Sequence, residues 1–219
     1  MSRVLVIGIL VVILMTFLTT SLYPDNMAFS AYNTGYSGTS CLLRYFGNYS
    51  ESNITLLLLV TNYNVNLSNY VRYGNTLIIA GNESLVNYYM TKVLKVPLIL
   101  GDELINGKNY YYLTGPILLV KDGSLLFVFP YVHPVIGGNS LMSYNNQSII
   151  SLLEYGKGRI ILIGTPLIFL NKYYDLQNNT ILLKLLLGSH PTIIISRPTY
   201  PIDEFKELLS TLLLSDKIR

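Results

Sequence analysis

Few residues of this 219-residue chain could carry out covalent or metal chemistry. Cys41 is the single cysteine, so it can form neither an intramolecular disulfide nor a cysteine-rich metal site. His133 and His190 are the two histidines, which is too few for a multi-histidine metal centre. We therefore expect no metal ion and no cofactor.

A hydrolase would need a nucleophile, a base and an acid within hydrogen-bonding reach of one another. Ser84 with His133 and either Asp102 or Asp175 supplies these residue types, but any chain of this length yields such combinations. The adjacent acids Asp102 and Glu103 are typical of a solvated loop. We predict that the protein is not an enzyme, with a hydrolase acting on glycans or peptides as the alternative.

Another set of polar residues is suited to binding. Ser37-Gly38-Thr39 open a predicted helix, where backbone N–H groups and hydroxyls can bind an anion or a carbonyl group. Other Asn and Thr side chains would complete a polar pocket if they meet beyond the carboxyl ends of the strands. The candidate ligand-binding residues are Asn33, Ser37, Gly38, Thr39, Thr165, Asn171 and Asn179. The alternative is that they cap helices and tie loops to the backbone.

Alternating strands and helices must position these residues. Apolar runs between polar turns predict buried strands at 54–61, 76–80, 160–163 and 192–195. One helical pattern precedes these strands, at 37–46, and others fall between them, at 67–72, 84–94 and 181–187. This alternation predicts an α/β fold of three layers with a mainly parallel, flavodoxin-like sheet.

Two segments depart from that alternation. Asp122-Gly123 between the apolar runs 117–120 and 125–129 predicts an inserted β-hairpin, at a sheet edge or over the strand ends. Residues 201–213 carry one apolar stripe and predict a terminal helix docked on the sheet. A helix lying on a membrane surface and a partner-binding helix are the alternatives for this segment.

The N-terminal segment favours a membrane anchor. Val4 to Leu22 carry no charge and would span about 28 Å as a helix, close to the hydrocarbon thickness of a bilayer. Arg3 precedes the segment and the next cation is Arg44, which places the N-terminus in the cytoplasm. We therefore expect a single-pass cell-membrane protein, with the anchor at 1–23 and an extracytoplasmic α/β domain at 24–219. A cleaved signal peptide is the alternative.

Glycosylation motifs agree with an exported chain. Asn-x-Ser/Thr occurs at six positions: Asn48, Asn53, Asn66, Asn82, Asn146 and Asn178. The alternative is that Asn-rich turns simply adjoin Ser and Thr. Only 12% of residues are charged, the net charge is +3, and the 15 cations are scattered singly, so no nucleic-acid partner is expected.

Two motifs resemble a prokaryotic domain-of-unknown-function family, number 4350. The first is Ser30-Ala31-Tyr32-Asn33-Thr34-Gly35-Tyr36-Ser37-Gly38-Thr39-Ser40, and the second is Gly156-Lys157-Gly158-Arg159-Ile160-Ile161-Leu162-Ile163-Gly164 with Pro166, Phe169, Asn171 and Asn179. The resemblance implies a class-I glutamine-amidotransferase-like fold tethered to a membrane. Thr165 and Asn178 stand where the family usually has acidic residues.

Amidotransferase chemistry would need a cysteine on a tight turn between a strand and a helix. The second predicted strand leads instead into Gly81-Asn82-Glu83-Ser84, and Cys41 falls within a predicted helix. We therefore expect a catalytically silent domain that acts in binding or scaffolding at the cell envelope. Its expected partners are the bilayer, through Val4 to Leu22, and a membrane or envelope protein.

Overall fold

The computed structural model describes residues 3–22, 26–50 and 52–196, with the side chains of the first segment described over 5–16. The chain divides into two units, Met1–Asp25 with Pro198–Arg219, and Asn26–Arg197. In the first unit, helix α1 (Arg3–Leu22) has exposed apolar side chains throughout its described part. The helix predicted at 201–213 lies outside the described residues.

The prediction of a membrane span is wrong. Within the described part of the chain, no helix combines the length and the apolar character needed to cross a membrane. The transmembrane helix, the signal-anchor and the single-pass localisation at the cell membrane are corrected accordingly. The predicted partners stay predictions.

The second unit is a mixed α/β domain. Its six-stranded sheet has the order β11-β1-β2-β10-β9-β8, and two smaller sheets have the orders β3-β7 and β4-β5-β6. The strands are β1 (Ile54–Leu59), β2 (Thr76–Gly81), β3 (Ile99–Leu100), β4 (Lys108–Tyr110), β5 (Leu113–Asp122), β6 (Leu125–Pro130), β7 (Val135–Ile136), β8 (Asn139–Tyr144), β9 (Gln147–Tyr155), β10 (Gly158–Ile163) and β11 (Thr192–Ser196).

Both faces of the large sheet are covered, because alternate side chains of the central strands enter different apolar clusters. Leu56 and Leu58 of β1 pack in one cluster, while Leu57 and Leu59 pack in another. Helices α2 (Ser40–Phe46) and α5 (Asn179–Leu187) contribute to the first cluster. The second receives α3 (Ser68–Arg72) and α4 (Glu83–Tyr88) with its π-helical continuation Tyr89–Leu94.

The prediction of a mainly parallel sheet is wrong, because the sheet is only partly parallel. Strands β11, β1, β2 and β10 pair in parallel, but β9 pairs antiparallel with both β10 and β8. Two tight turns explain the difference: one lies between β9 and β10, where Gly156 has φ of 68°, and the other joins β8 to β9. Asn145 and Asn146 have φ of 49° and 65°, the left-handed pair that a tight hairpin requires, so the chain reverses without a helical crossover.

The hairpin predicted around Asp122-Gly123 is present. Strands β5 and β6 pair antiparallel from Ile117↔Pro130 to Asp122↔Leu125. Together with β4 they form their own three-stranded sheet rather than an edge of the large one. Leu118, Phe127 and Phe129 from this hairpin are buried in the first apolar cluster, so the hairpin covers part of the large sheet's face.

Tyr89 makes this domain less stable at high pH. Burial, and secondarily the neighbouring Tyr63, raises the pKa of Tyr89 well above the usual 10.0. Below pH 10 the tyrosine is neutral in both the folded and the unfolded chain, so its contribution is complete. Above pH 10 the unfolded chain ionises first and stability falls. We expect Tyr89→Phe to reduce that fall, whereas Tyr73→Phe, at a residue 83% exposed, leaves it unchanged.

The measurement is the urea midpoint between pH 8 and pH 11. Part of the fall of the urea midpoint with pH remains in the Tyr89→Phe protein, because other tyrosines also have a raised pKa, among them Tyr70 and Tyr173. The variant also loses the hydrogen bond from the Tyr89 hydroxyl to the Val65 carbonyl, about 1 kcal/mol at every pH. Identical slopes in the Tyr89→Phe and Tyr73→Phe proteins would contradict the assignment.

Candidate functional site

A cavity of about 590 Å³ opens where three parallel strands end. Leu59 closes β1, Gly81 closes β2, and Thr165 follows β10, so the cavity lies at the carboxyl edge of the parallel part of the sheet. This is where open α/β sheets hold ligands, because loops and helix starts converge there. The lining residues are Phe29, Leu59, Val60, Gly81, Asn82, Glu83, Leu104, Tyr131, His133, Thr165, Pro166 and Leu167.

Glu83 is held in place by the amide of Asn87. The Asn87 Nδ2 donates to Glu83 Oε1 at 2.6 Å and to the Leu100 carbonyl at 2.9 Å. The Oδ1 of the same amide accepts the Leu100 N–H at 2.7 Å. The Asn87 amide therefore hydrogen-bonds with both the N–H and the carbonyl of Leu100, as a neighbouring strand would. The donor to Glu83 Oε1 orients the Glu83 carboxylate. Glu83 also lies in the first turn of α4, where the helix dipole favours a negative charge.

His133 is oriented by the residue that follows β3. Its Nδ1 lies 2.8 Å from the Gly101 carbonyl, which can only accept, so Nδ1 carries the proton. In the neutral ring the other nitrogen, Nε2, is then a hydrogen-bond acceptor. The backbone N–H of His133 donates to the Gly164 carbonyl at 2.9 Å. Residues 99–101 thus position both Glu83, through Asn87, and His133.

Two aromatic residues of the cavity wall have strained backbones. Phe29 has φ of 59° and Tyr131 has φ of 48°, in the left-handed region that side chains larger than Asn seldom occupy. Each costs on the order of 1 kcal/mol or more and persists because surrounding contacts hold it. The Tyr131 hydroxyl donates to the Thr114 carbonyl at 3.1 Å, and its backbone N–H donates to the Pro116 carbonyl.

The predicted residues Asn33, Ser37, Gly38, Thr39 and Asn171 come together, but they do not line the cavity. The Asn171 Nδ2 donates to the Asn33 carbonyl at 3.0 Å, and its Oδ1 accepts from Cys41 N–H at 2.9 Å. The backbone N–H groups of Gly38 and Thr39 donate within the same loop, to the Gly35 and Ser30 carbonyls. These hydrogen-bonding groups are therefore engaged inside the protein.

That loop holds Phe29 in the wall of the cavity. The Phe29 N–H donates to the Ser37 carbonyl at 2.7 Å, and the Thr39 hydroxyl donates to the Phe29 carbonyl at 3.2 Å. Gly38 permits the arrangement because a Cβ there would lie 1.8 Å from the Asn33 carbonyl oxygen. The first sequence motif thus fixes one aromatic wall of the cavity.

The two remaining predicted residues lie apart from that loop. Thr165 does line the cavity, where its hydroxyl donates to the Pro130 carbonyl at 2.8 Å and accepts the Leu167 N–H at 3.2 Å. Asn179 is fully buried at the start of α5. Its amide pairs with both the N–H and the carbonyl of Val128, each at 2.9 Å, and so joins α5 to β6.

The candidate glycosylation residues are distributed around the domain. Asn48, Asn53, Asn66, Asn82 and Asn146 are exposed, while Asn178 is half-buried. Asn82 accepts from the Ser84 N–H and hydroxyl, which makes it the N-cap of α4. Asn48 and Asn178 accept the N–H groups of Ile193 and Leu126. Among the described residues, no group of three or more His, Cys, Asp or Glu could hold a metal ion.

Sequence reasoning missed Glu83, Asn87 and Tyr131 as site residues and considered His133 only in the hydrolase alternative. Asn82 and Glu83 directly follow the buried strand β2, so their position after a parallel strand was a usable signal. Asn87 and Tyr131 offered none, because their roles depend on contacts with residues 13 and 17 positions away.

Comparisons with known proteins bear on the fold. The "mmIFT52 N-terminal domain" is 15% identical in sequence, with a TM-score of 0.50, and the match covers 67% of this chain and 90% of that one. At this identity the likeness concerns the fold alone. No family model and no curated protein matches the chain, so the resemblance to family 4350 stays a prediction.

Two glycosidases match more weakly. The exo-beta-1,4-mannosidase Op5Man5 from Opitutaceae bacterium strain TAV5 is 12% identical, with a TM-score of 0.38 over 53% of this chain and 21% of the enzyme. The E323A catalytic mutant of Gan42B, a GH42 beta-galactosidase from G. stearothermophilus, is 15% identical, with a TM-score of 0.38 over 77% of this chain and 28% of the enzyme. These partial likenesses carry no inference about activity.

Asn179 and its neighbour Asn178 allow a matched test of how α5 is joined to β6. We expect Asn179→Ala to cost about 3 kcal/mol of unfolding free energy, because it leaves the buried N–H and carbonyl of Val128 and the carbonyl of Tyr173 without this partner. Asn178→Ala loses one acceptor, for the Leu126 N–H, and should cost about 1 kcal/mol. Equal costs in urea denaturation would contradict this account.

Proposed function

We propose that this chain is a binding domain that holds a small organic ligand in the cavity at the carboxyl edge of β1, β2 and β10. The observation that carries the proposal is the combination of an apolar cavity with two polar side chains, Glu83 and His133, that residues 99–101 orient. Ligand sites in proteins have this character: mostly apolar walls with a few fixed polar groups.

The volume of the cavity supports a small ligand rather than a macromolecule. About 590 Å³ lies within the range of roughly 300–1,000 Å³ typical of small-molecule sites. Leu59, Val60, Leu104, Pro166 and Leu167 would remove apolar ligand surface from water, which contributes about 25 cal/mol per Å². The oriented polar groups would supply the specificity.

A hydrolase is the second candidate, and His133 is the observation that favours it. A histidine whose Nδ1–H is fixed on a carbonyl has Nε2 available to accept a proton, as a general base does. Ser84 is not among the cavity-lining residues, and its hydroxyl donates to Asn82. The nucleophile would therefore be a water molecule activated by His133.

Filling the cavity tests the binding function. We expect Leu104→Trp to abolish the thermal stabilisation that small-molecule ligands give to the wild-type chain, because the indole would occupy the ligand's space. Leu104 lines the cavity and is 39% exposed, so a larger side chain there does not have to displace the core. Leu141→Trp is the matched control, at a leucine of β8 that is 51% exposed and away from the cavity lining.

The measurement is a thermal-shift screen of small organic compounds, with hits verified by NMR titration. The proposal expects compounds that stabilise the wild-type and Leu141→Trp proteins but not the Leu104→Trp protein. A screen without hits, or hits that survive Leu104→Trp unchanged, would refute it. Substrate turnover that disappears in His133→Gln would instead favour the hydrolase.

A further inference from the structure

Glu83 gives the cavity a negative charge that none of the other described lining residues balances. Among the twelve described residues that line the cavity, Glu83 alone is an Asp, Glu, Lys or Arg. Its carboxylate accepts from the neutral amide of Asn87 at 2.6 Å, which holds the carboxylate in place and leaves its charge intact. A ligand that brings a positive charge would supply the missing counter-ion.

The other oriented polar group of the cavity also favours a hydrogen-bond donor. With Nδ1–H directed at the Gly101 carbonyl, the neutral His133 ring offers Nε2 as an acceptor. The hydroxyl of Thr165 already donates to Pro130 and accepts from Leu167. A primary ammonium group, which has three donors and no acceptor, matches a site with one carboxylate and one imidazole acceptor.

Aromatic residues in the wall add to this preference. Phe29 has no polar side-chain atom, and the Tyr131 hydroxyl is engaged by the Thr114 carbonyl, so both contribute their rings. An aromatic face attracts a cation within about 6 Å of its centre, and the attraction grows as water is excluded. Contacts from Ser37, Thr39 and Pro116 hold both residues at left-handed φ in this wall.

We propose that the ligand of this cavity is an organic ammonium compound, whose cationic nitrogen binds between Glu83 and His133 and whose apolar body lies against Phe29, Tyr131 and the aliphatic walls. This inference rests on the proposed binding function and names its ligand class. An anionic ligand would meet the unbalanced charge of Glu83. A neutral polyhydroxyl ligand would leave that charge without a counter-ion.

Three probes of similar size and different charge test the ligand class: 2-phenylethylammonium, the neutral 2-phenylethanol and the anionic 3-phenylpropionate. Dissociation constants are measured by NMR titration on the full chain at pH 7.5 and constant salt. We expect the ammonium compound to bind at least about ten-fold more tightly than the alcohol, and the carboxylate to bind most weakly.

Glu83→Gln should remove this ten-fold preference, because the amide keeps the size of the side chain and can still accept from Asn87. Glu154→Gln, at an exposed glutamate of β9, makes the same change in net charge and should retain the preference. The order of the three wild-type affinities decides the inference even where Glu83→Gln lowers the yield of folded protein.

The outcomes separate the ligand class from the binding function. Alcohol and ammonium probes that bind equally well, both blocked by Leu104→Trp, would overturn the ligand class and leave the binding function standing. An ammonium preference that survives Glu83→Gln would also overturn it. Absence of any binding that Leu104→Trp blocks would overturn both.

Discussion

The parallel pairing of β1 with β2 requires strands that can be buried on both faces. From Leu56 to Leu59 and from Leu77 to Gly81, every residue is buried, so neither stretch carries a side chain that needs water. Gly81 is part of the same constraint, since a Cβ there would lie 2.6 Å from the Leu59 Cβ. Polar side chains of β1 and β2 can therefore be placed only where these strands end. The cavity with Asn82, Glu83 and Thr165 is found there, so packing in the sheet determines where chemistry can occur.

Asparagine amides join the parts of this weakly charged domain. Asn87, Asn171 and Asn179 each use both ends of the amide, and each connects its segment to backbone groups of another. An amide can mimic the N–H and carbonyl of a strand and carries no charge to desolvate. No buried side-chain nitrogen or oxygen among the described residues lacks a partner, which is the condition for a stable polar interior.

The positions of the buried strands could be predicted well from the sequence, but whether neighbouring strands run parallel or antiparallel could not. The runs at 54–59 and 76–81 are strands because a buried strand must be apolar on both faces. The antiparallel pairing of β8 with β9 depends on Asn145 and Asn146 both adopting positive φ, which Asn-Asn permits but does not require, and the pairing of β9 with β10 depends on the turn at Gly156. The membrane span was predicted from the hydropathy, the length and the flanking charges of residues 4–22, but none of the described helices is long and apolar enough to cross a membrane.

A polar side chain whose hydrogen-bonding atoms are all used within the protein differs from one that is suited to binding a ligand. Asn33, Asn171 and Asn179 looked like ligand-binding residues because their types can bind, yet their amides are occupied by backbone groups of this chain. Within the described part of the chain, Glu83 and His133 each use one side-chain atom, Oε1 and Nδ1, and the proposed ligand would contact the other carboxylate oxygen and Nε2. A residue type therefore indicates what a side chain can bind, and its unoccupied atoms indicate what it is placed to bind. By that criterion the proposed binding site of this domain lies at the end of β2.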